Sequence, residues 1–387
     1  MINADLLLKL YDAAYMSRWN DQIRVVDFYE LDKQSHKMMV AYVLGKMEEP
    51  RGNPDFSWKE IIEAGIFEFL QRIVLTDLKP ELFHRLKQDK KKYRHLNNWV
   101  YDKIEPLLKP VNEGLCERFK HYLVDEKRNI NRRIISAAHF YSTKWEYDII
   151  SNFVPSACSY MFGEITKDLA RKQEAYHDLQ CMQDFLFSQK LRYFINLCGL
   201  LRFQIRWSHL HRVPETSVLG HMLIVAMMTY FFMTEFTTDN TRIYNNYFTA
   251  LFHDLPEVLT RDVINPVKRS VEGIEELIHE YEREEMEKRI YNLLPEAWHK
   301  DIRLFTENEF SDINEGGTAI RDGALIKVAD ELAAFLEVWI ALNNGINSED
   351  LVNASITLRS KYKDSEVCGI DFSKIYDKFK LKEIWKN

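Results

Sequence analysis

The segment "LFHDLPEVLTRD" (251–262) sets a histidine beside an aspartate, His253-Asp254, and follows them with Pro256, Glu257 and Asp262. Imidazole and carboxylate are the ligand types of a divalent ion that activates water, and such an ion needs a few of them plus an open position. Two more residues of these types stand in apolar surroundings: His221, one predicted helix earlier in the chain, and Asp330, in a separate apolar run well beyond Asp254. Adjacent helical residues point about 100° apart, so a His-Asp pair grips one ion from two sides only at a helix end or bend. Pro256 supplies that bend. Two histidines with two aspartates mix nitrogen with hard oxygen, which suits Mn, Fe, Co, Ni or Zn better than Ca. Taken singly, each has a plainer reading: His221 a hydrogen-bonded core histidine, His253-Asp254 a helix-end charge pair, Asp330 a solvated carboxylate. Only their joint spacing points to a metal.

The elements that must position them read as helices, and alternating strand patterns are nearly absent. "ETSVLGHMLIVAMMTYFFMTEF" offers Thr216 or Ser217 as N-cap and then an almost wholly apolar run, as a buried helix requires. "TRIYNNYFTALFHD" is a second helix ending near Pro256, and "ALIKVADELAAFLEVWIALNNG" a core helix stopped by Asn-Gly. "GIEELIHEYEREEMEKRIYNLL" has a narrow apolar stripe and belongs on the surface. The expected fold class is all-α.

An internal repeat divides the chain. Glu30, His36, Glu68 and Asp77 recur as Glu215, His221, His253 and Asp262 at one constant offset, and Arg18-Trp19 recurs as Arg206-Trp207 at an offset three positions longer. "LIKVADELAAFLEVW" (325–339) resembles "IISAAHFYSTKWEYD" (134–148), which sets His139 opposite Asp330. The expectation is two tandem helical bundles, residues 1–178 and 179–387, rigidly packed because the join is helical in character and not rich in Gly or Ser.

Composition narrows the function. A net charge of −7 argues against a dedicated nucleic-acid binder, since phosphate neutralisation needs clustered Lys and Arg, yet it leaves room for a small basic pocket. The five cysteines are scattered with no zinc spacing, as in a reducing compartment. The longest apolar run, "MLIVAMMTYFF", falls short of the ~18 residues of a membrane span, and the start lacks a basic segment followed by an apolar one. These features suggest a soluble, cytoplasmic chain. The basic run "KQDKKKYRH" (87–95) reads as a solvated face, and His209 and His211 as loop histidines.

The full constellation of Arg206-Trp207, "E-x-x-x-x-x-H", "HD-x-x-E-V-L-T-x-D" and "P-V-K" over about residues 190–345 resembles the HD-domain metal-dependent phosphohydrolases, in their YfbR-like 5′-deoxynucleotidase branch. That resemblance implies a divalent metal held by His221, His253, Asp254 and Asp330. Glu257 would be the acid/base group and Asp262 would lie beside the sugar and scissile phosphate. Arg206 would bind phosphate, Trp207 would pack near the sugar, and Lys268 is a further phosphate contact. The implied substrate is a deoxynucleoside 5′-monophosphate. The runners-up are an HD hydrolase of dNTPs or another nucleotide phosphoester, and a nucleotide sensor that uses the first half.

In that first half Glu68-Phe69 replaces the His-Asp pair, His139 the last aspartate and Arg72 the glutamate. Three readings stand: a packing partner that has lost its site, a pocket that binds nucleotide without hydrolysing it, or a changed metal site of His36, Glu68 and His139. Enzymes of this branch commonly act as homodimers, so the fused halves could form an internal pseudo-dimer, with further homo-oligomerisation left open.

Overall fold

The run from Val218 to Met233 is apolar on every face except for His221 and Thr229, and a helix of that kind has to be surrounded by protein. In the computed structural model it is: all 16 residues of this helix are buried. The described residues are 3–76, 78, 80–125, 127–153, 162–261, 273–346, 348–363 and 365–380. Among them the chain is all-α, with three short two-stranded antiparallel pairs as the only sheets.

Seven helices carry the architecture: α1 (Glu30–Glu48), α2 (Trp58–Leu75), α3 (Ile130–Phe153), α4 (Gln189–Leu200), α5 (Val218–Met233), α6 (Asn240–Phe252) and α7 (Gly323–Asn343). In the first half α1 packs on α2 and α3; in the second, α5 packs on α6 and α7. The two central helices also pack on each other, so one apolar core runs through both halves. Their approach is close at Gly220, where a Cβ would fall 2.9 Å from Asp32 Oδ1 and 3.0 Å from Leu31 Cδ2. Next to it Ser217, one of the two expected caps, accepts from Gly220 N–H at 2.9 Å and donates its hydroxyl to Asp32 at 2.6 Å. One serine thus caps α5 and ties it to α1.

Backbone details recur between the halves. Glu30 N–H donates to Met16 O and Val218 N–H to Gln204 O, both at 2.9 Å. Trp19 and Trp207 share a left-handed φ, 57° and 58°, uncommon for a bulky residue. Each indole donates to a buried glutamate at 2.8 Å, Trp19 to Glu146 and Trp207 to Glu337. Thr76 and Arg261, both at positive φ, donate their N–H groups to Arg72 O and Glu257 O. The backbone bonds at the starts of α1 and α5 keep the longer offset of the Arg-Trp pairs, whereas Thr76 and Arg261 keep the shorter one.

That register corrects one expectation. At the start of α5 the longer offset holds, and it pairs His221 with Lys33, not with His36. His36 is instead a core histidine: its Nε2 lies 3.1 Å from Ile195 O on α4, and its ring meets Trp145 edge-on with centroids 4.8 Å apart. Burial pushes its imidazole down to about 3. Matching the two histidines by residue type alone slips α1 by three positions.

The plainer expectations fare as follows. His209, His211 and most of the 87–95 run are exposed, and the helix Ile274–Arg289 is mainly exposed. No helix among the described residues is long and apolar enough to cross a membrane.

Candidate metal centre

The helix α6 ends at Phe252, and His253 and Asp254 follow in a turn before the short helix Glu257–Thr260. Breaking the helix there lets two adjacent side chains face one point. His253 Nδ1–H donates to Ala250 O at 2.9 Å, the bond that the interrupted helix leaves available, so Nε2 is the nitrogen turned inward. Nε2 is buried without a hydrogen-bond partner, 3.1 Å from Asp254 Oδ2 and 4.0 Å from Asp330 Oδ1. From α5, His221 Nε2 comes within 2.9 Å of Asp330 Oδ1 and 4.0 Å of Asp254 Oδ2.

Four donors, from α5, the end of α6 and α7, therefore converge. His221, His253 and Asp330 place one ligand atom each within 4.8 Å of one another, with Asp254 alongside; among the described residues no other such His/Cys/Asp/Glu group occurs. Donors held ~2.1 Å from one ion are ~3.0–3.4 Å apart at right or tetrahedral angles. The spacings seen here bracket that range, so the donor set fits a divalent ion of borderline softness. His36, Glu68 and His139 are not gathered in this way, which removes the altered metal site in the first half.

The electrostatics agree. Burial works against a charged imidazole, yet the carboxylates of Asp254 and Asp330 raise His253 to about 9. Burial likewise opposes charge on Asp254, but His253, then His221 and Arg206, hold it down at about 2. Asp330 is lowered against burial by Lys327 and His221.

Behind the ligands lies a residue that the sequence reading passed over. Glu337, two turns beyond Asp330 on α7 and wholly buried, accepts from Trp207 Nε1 and Thr216 Oγ1 at 2.8 Å each. Arg206 Nε lies 3.4 Å from it, and His221 Nδ1 3.6 Å. A carboxylate packed behind an imidazole helps to orient the ring. The available signal was a lone glutamate inside the apolar run "AAFLEVWIAL", two helical turns after a candidate ligand. Lys327, 3.0 Å from Asp330 Oδ2, was also missed, as was Glu309, whose carboxyl burial raises and which feels both His253 and Asp254.

Arg206 borders the same donors, with Nη1 3.6 Å from Asp254 Oδ2. Trp207 is partly buried against a small cluster of Val338, Ala341, Leu342 and Leu351. Glu257 opens its short helix, its N–H bonded to Asp254 O at 3.1 Å and its carbonyl accepting from Gln204 at 3.0 Å. Asp262 and Lys268 lie outside the described residues.

Comparison with known proteins bears on the same stretch. Residues 198–367 match the family model described as HD domain. Over those residues the chain is similar to HD domains. The chain is similar to a 5′-deoxynucleotidase of Pectobacterium atrosepticum, 28% identical over 166 residues, covering 41% of this chain and 73% of that protein. It is also similar to a 5′-deoxynucleotidase of Vibrio cholerae, 26% identical over 186 residues, covering 46% of this chain and 89% of that protein. A third, from Photobacterium profundum, is 28% identical over 162 residues, covering 41% and 78%. HD domains are metal-dependent, and the His/Asp centre lies within the matched residues.

Proposed function

We propose that the chain is a metal-dependent phosphomonoesterase that removes the phosphate from nucleoside 5′-monophosphates, with a preference for deoxy forms. The reading is carried by the convergence of His221, His253 and Asp330, with Asp254 beside them, inside an HD domain whose relatives bear the name 5′-deoxynucleotidase.

In this reading His221, His253, Asp254 and Asp330 hold the ion. When bound, it polarises a phosphate oxygen and makes a water nucleophilic at neutral pH. Arg206 places a guanidinium fork against the phosphoryl oxygens, where charge builds during in-line displacement. Glu337 holds that guanidinium, the Trp207 indole and the His221 ring in one arrangement. Glu257 orients the attacking water or protonates the leaving 5′ oxygen. Asp262 and Lys268 are assigned to the sugar and phosphate. The division near residue 178, with the first half a degenerate copy packed as an internal pseudo-dimer partner, belongs to the same reading. It is supported by the recurring backbone details and by the packing of α1 on α5.

The test is phosphate release from a panel of nucleotides with Mn²⁺ or Co²⁺. Turnover of dNMPs to deoxynucleoside and phosphate is expected; release of tripolyphosphate from dNTPs with inert monophosphates would overturn the assignment. Arg206→Ala should raise KM for dNMP by about 10–100-fold, from loss of a charge-assisted contact. Glu257→Gln should lower kcat by about 10²–10⁴-fold. If Glu309→Gln gives that drop in kcat instead, the acid/base role moves to Glu309.

A further inference from the structure

We infer that the first half holds a second, metal-independent site for a phosphate-bearing small molecule, a nucleoside monophosphate bound and not hydrolysed, with Lys33, Lys37 and Arg72 supplying the positive charge.

The inference starts from one substitution of chemistry in a matching frame. In the second half the strut is Arg206-Trp207 on Glu337, and the pair in front of it is His221 with Asp330, 2.9 Å apart. In the first half the strut is Arg18-Trp19 on Glu146, with Arg18 Nε and Trp19 Nε1 each 2.8 Å from Glu146 Oε2. The pair in the corresponding place is Lys33 with His139, Nζ to Nδ1 at 2.6 Å. An ammonium stands where an imidazole ligand stood, and an imidazole where a carboxylate stood.

The neighbouring positions change the same way. Phe69, fully buried, takes the place of Asp254 and offers no ligand. Glu68 takes that of His253 and is neutralised by Lys37 Nζ at 3.2 Å. Arg72 takes that of Glu257 and meets Glu30 through Nε at 3.3 Å. Arg18 is held between Glu30 at 2.6 Å and Glu146, so it braces the site without being its main anion contact. Among these described residues four cations face three carboxylates, and a fifth cation, Arg202, pairs with Glu146 at 3.0 Å, while buried Asp32 behind them accepts from Ser217. Carboxylates that would attract a cation have gone and cations have arrived. The charge around this first-half position now favours an anion.

The rim of the place is open to solvent, and its buried cations lie below. His139 is exposed, and Arg72 and Glu68 are 30% and 27% exposed, while Lys33 and Lys37 lie fully buried beneath them. Burial pulls the Lys33 ammonium well below its ordinary value despite Glu30. An arriving phosphate would compensate a desolvated lysine, as a carboxylate does elsewhere. Trp19, partly buried in the same backbone conformation as Trp207, would flank the sugar. With no ligand set and no carboxylate at Arg72's position, bound phosphate would stay intact.

The experiment is equilibrium dialysis of the full chain, stripped of metal with EDTA, against dAMP, inorganic phosphate and deoxyadenosine. One dAMP should bind per chain without metal, inorganic phosphate more weakly, and deoxyadenosine at least tenfold more weakly than dAMP. Arg72→Ala should weaken dAMP binding at least tenfold while leaving metal-dependent turnover intact. Lys33→Met should do the same, with its melting temperature measured as a check on folding, while Arg206→Ala should leave metal-free binding unchanged. No metal-free binding, binding lost in Arg206→Ala and kept in Arg72→Ala, or equal binding of deoxyadenosine would each overturn the inference. None of these outcomes depends on whether the second half hydrolyses monophosphates.

Discussion

The double variant His253→Ala/Asp254→Ala is expected to emerge without bound metal and to lose phosphatase activity on the order of 10³-fold or more, since an ion in such a site supplies several kcal/mol of transition-state stabilisation. Metal content and phosphate release check it, and a variant that keeps stoichiometric metal would remove the ligand assignment. The wild-type protein adds a sharper signature. Asp254 and Asp330 raise His253 to about 9, against burial, so at neutral pH the metal-free imidazole carries a proton that an incoming ion must displace. Metal affinity should therefore climb with pH, by about tenfold per unit between roughly pH 7 and 9 for one displaced proton, with that proton released to buffer. The stability of the metal-free protein has the opposite slope. A group whose folded pKa is raised contributes stability in full below its unfolded value, near 6.5, and loses it as pH rises through about 9. Melting curves in EDTA and in Mn²⁺ should thus diverge with rising pH. In the double variant they should coincide.

Much of this centre was legible because its parts are local. A His-Asp pair before a proline announces a helix end, and the apolar runs around His221 and Asp330 announce the buried helices that carry them; α5, α6 and α7 fall within a few residues of where the periodicity puts them. Glu337 was not legible as a functional group, because its meaning lies in Thr216, Trp207 and His221, which come from far along the chain. The three-residue slip at α1 has a related cause. Sequence matching rewards identical residue types, and two histidines are a strong lure. The three-dimensional frame is set by the Trp-Glu strut and the backbone bonds at the helix starts, which align Lys33 with His221. A lysine in a histidine's place looks like noise in a sequence; beside His139 it becomes a change in the sign of the ligand.

The strut itself can be tested by removing its carboxylate. Glu337 is completely buried, and against the cost of burial Arg206 and Arg212, followed by His221, hold its carboxyl far below the usual range. Glu337→Ala would leave the Arg206 guanidinium, the Trp207 N–H and the Thr216 hydroxyl without the acceptor they share. Removing one partner of a buried ion pair costs about 3–5 kcal/mol, mostly through the charge left behind. A stability loss of that order is expected by urea unfolding at pH 7. The sign with pH follows from the depressed carboxyl: its contribution is present above the unfolded value near 4.3 and is lost as pH falls. The wild-type and alanine curves should therefore converge toward acid pH. Glu337→Gln keeps an acceptor and the volume while removing the charge, so it should fold more stably than the alanine variant yet bind metal about 10–100-fold more weakly than wild type, through a less firmly held His221. A glutamine variant with unchanged metal affinity would confine Glu337 to packing; a weakened one places it in the support of the ion, where a buried carboxylate inside an apolar helix has its physical reason.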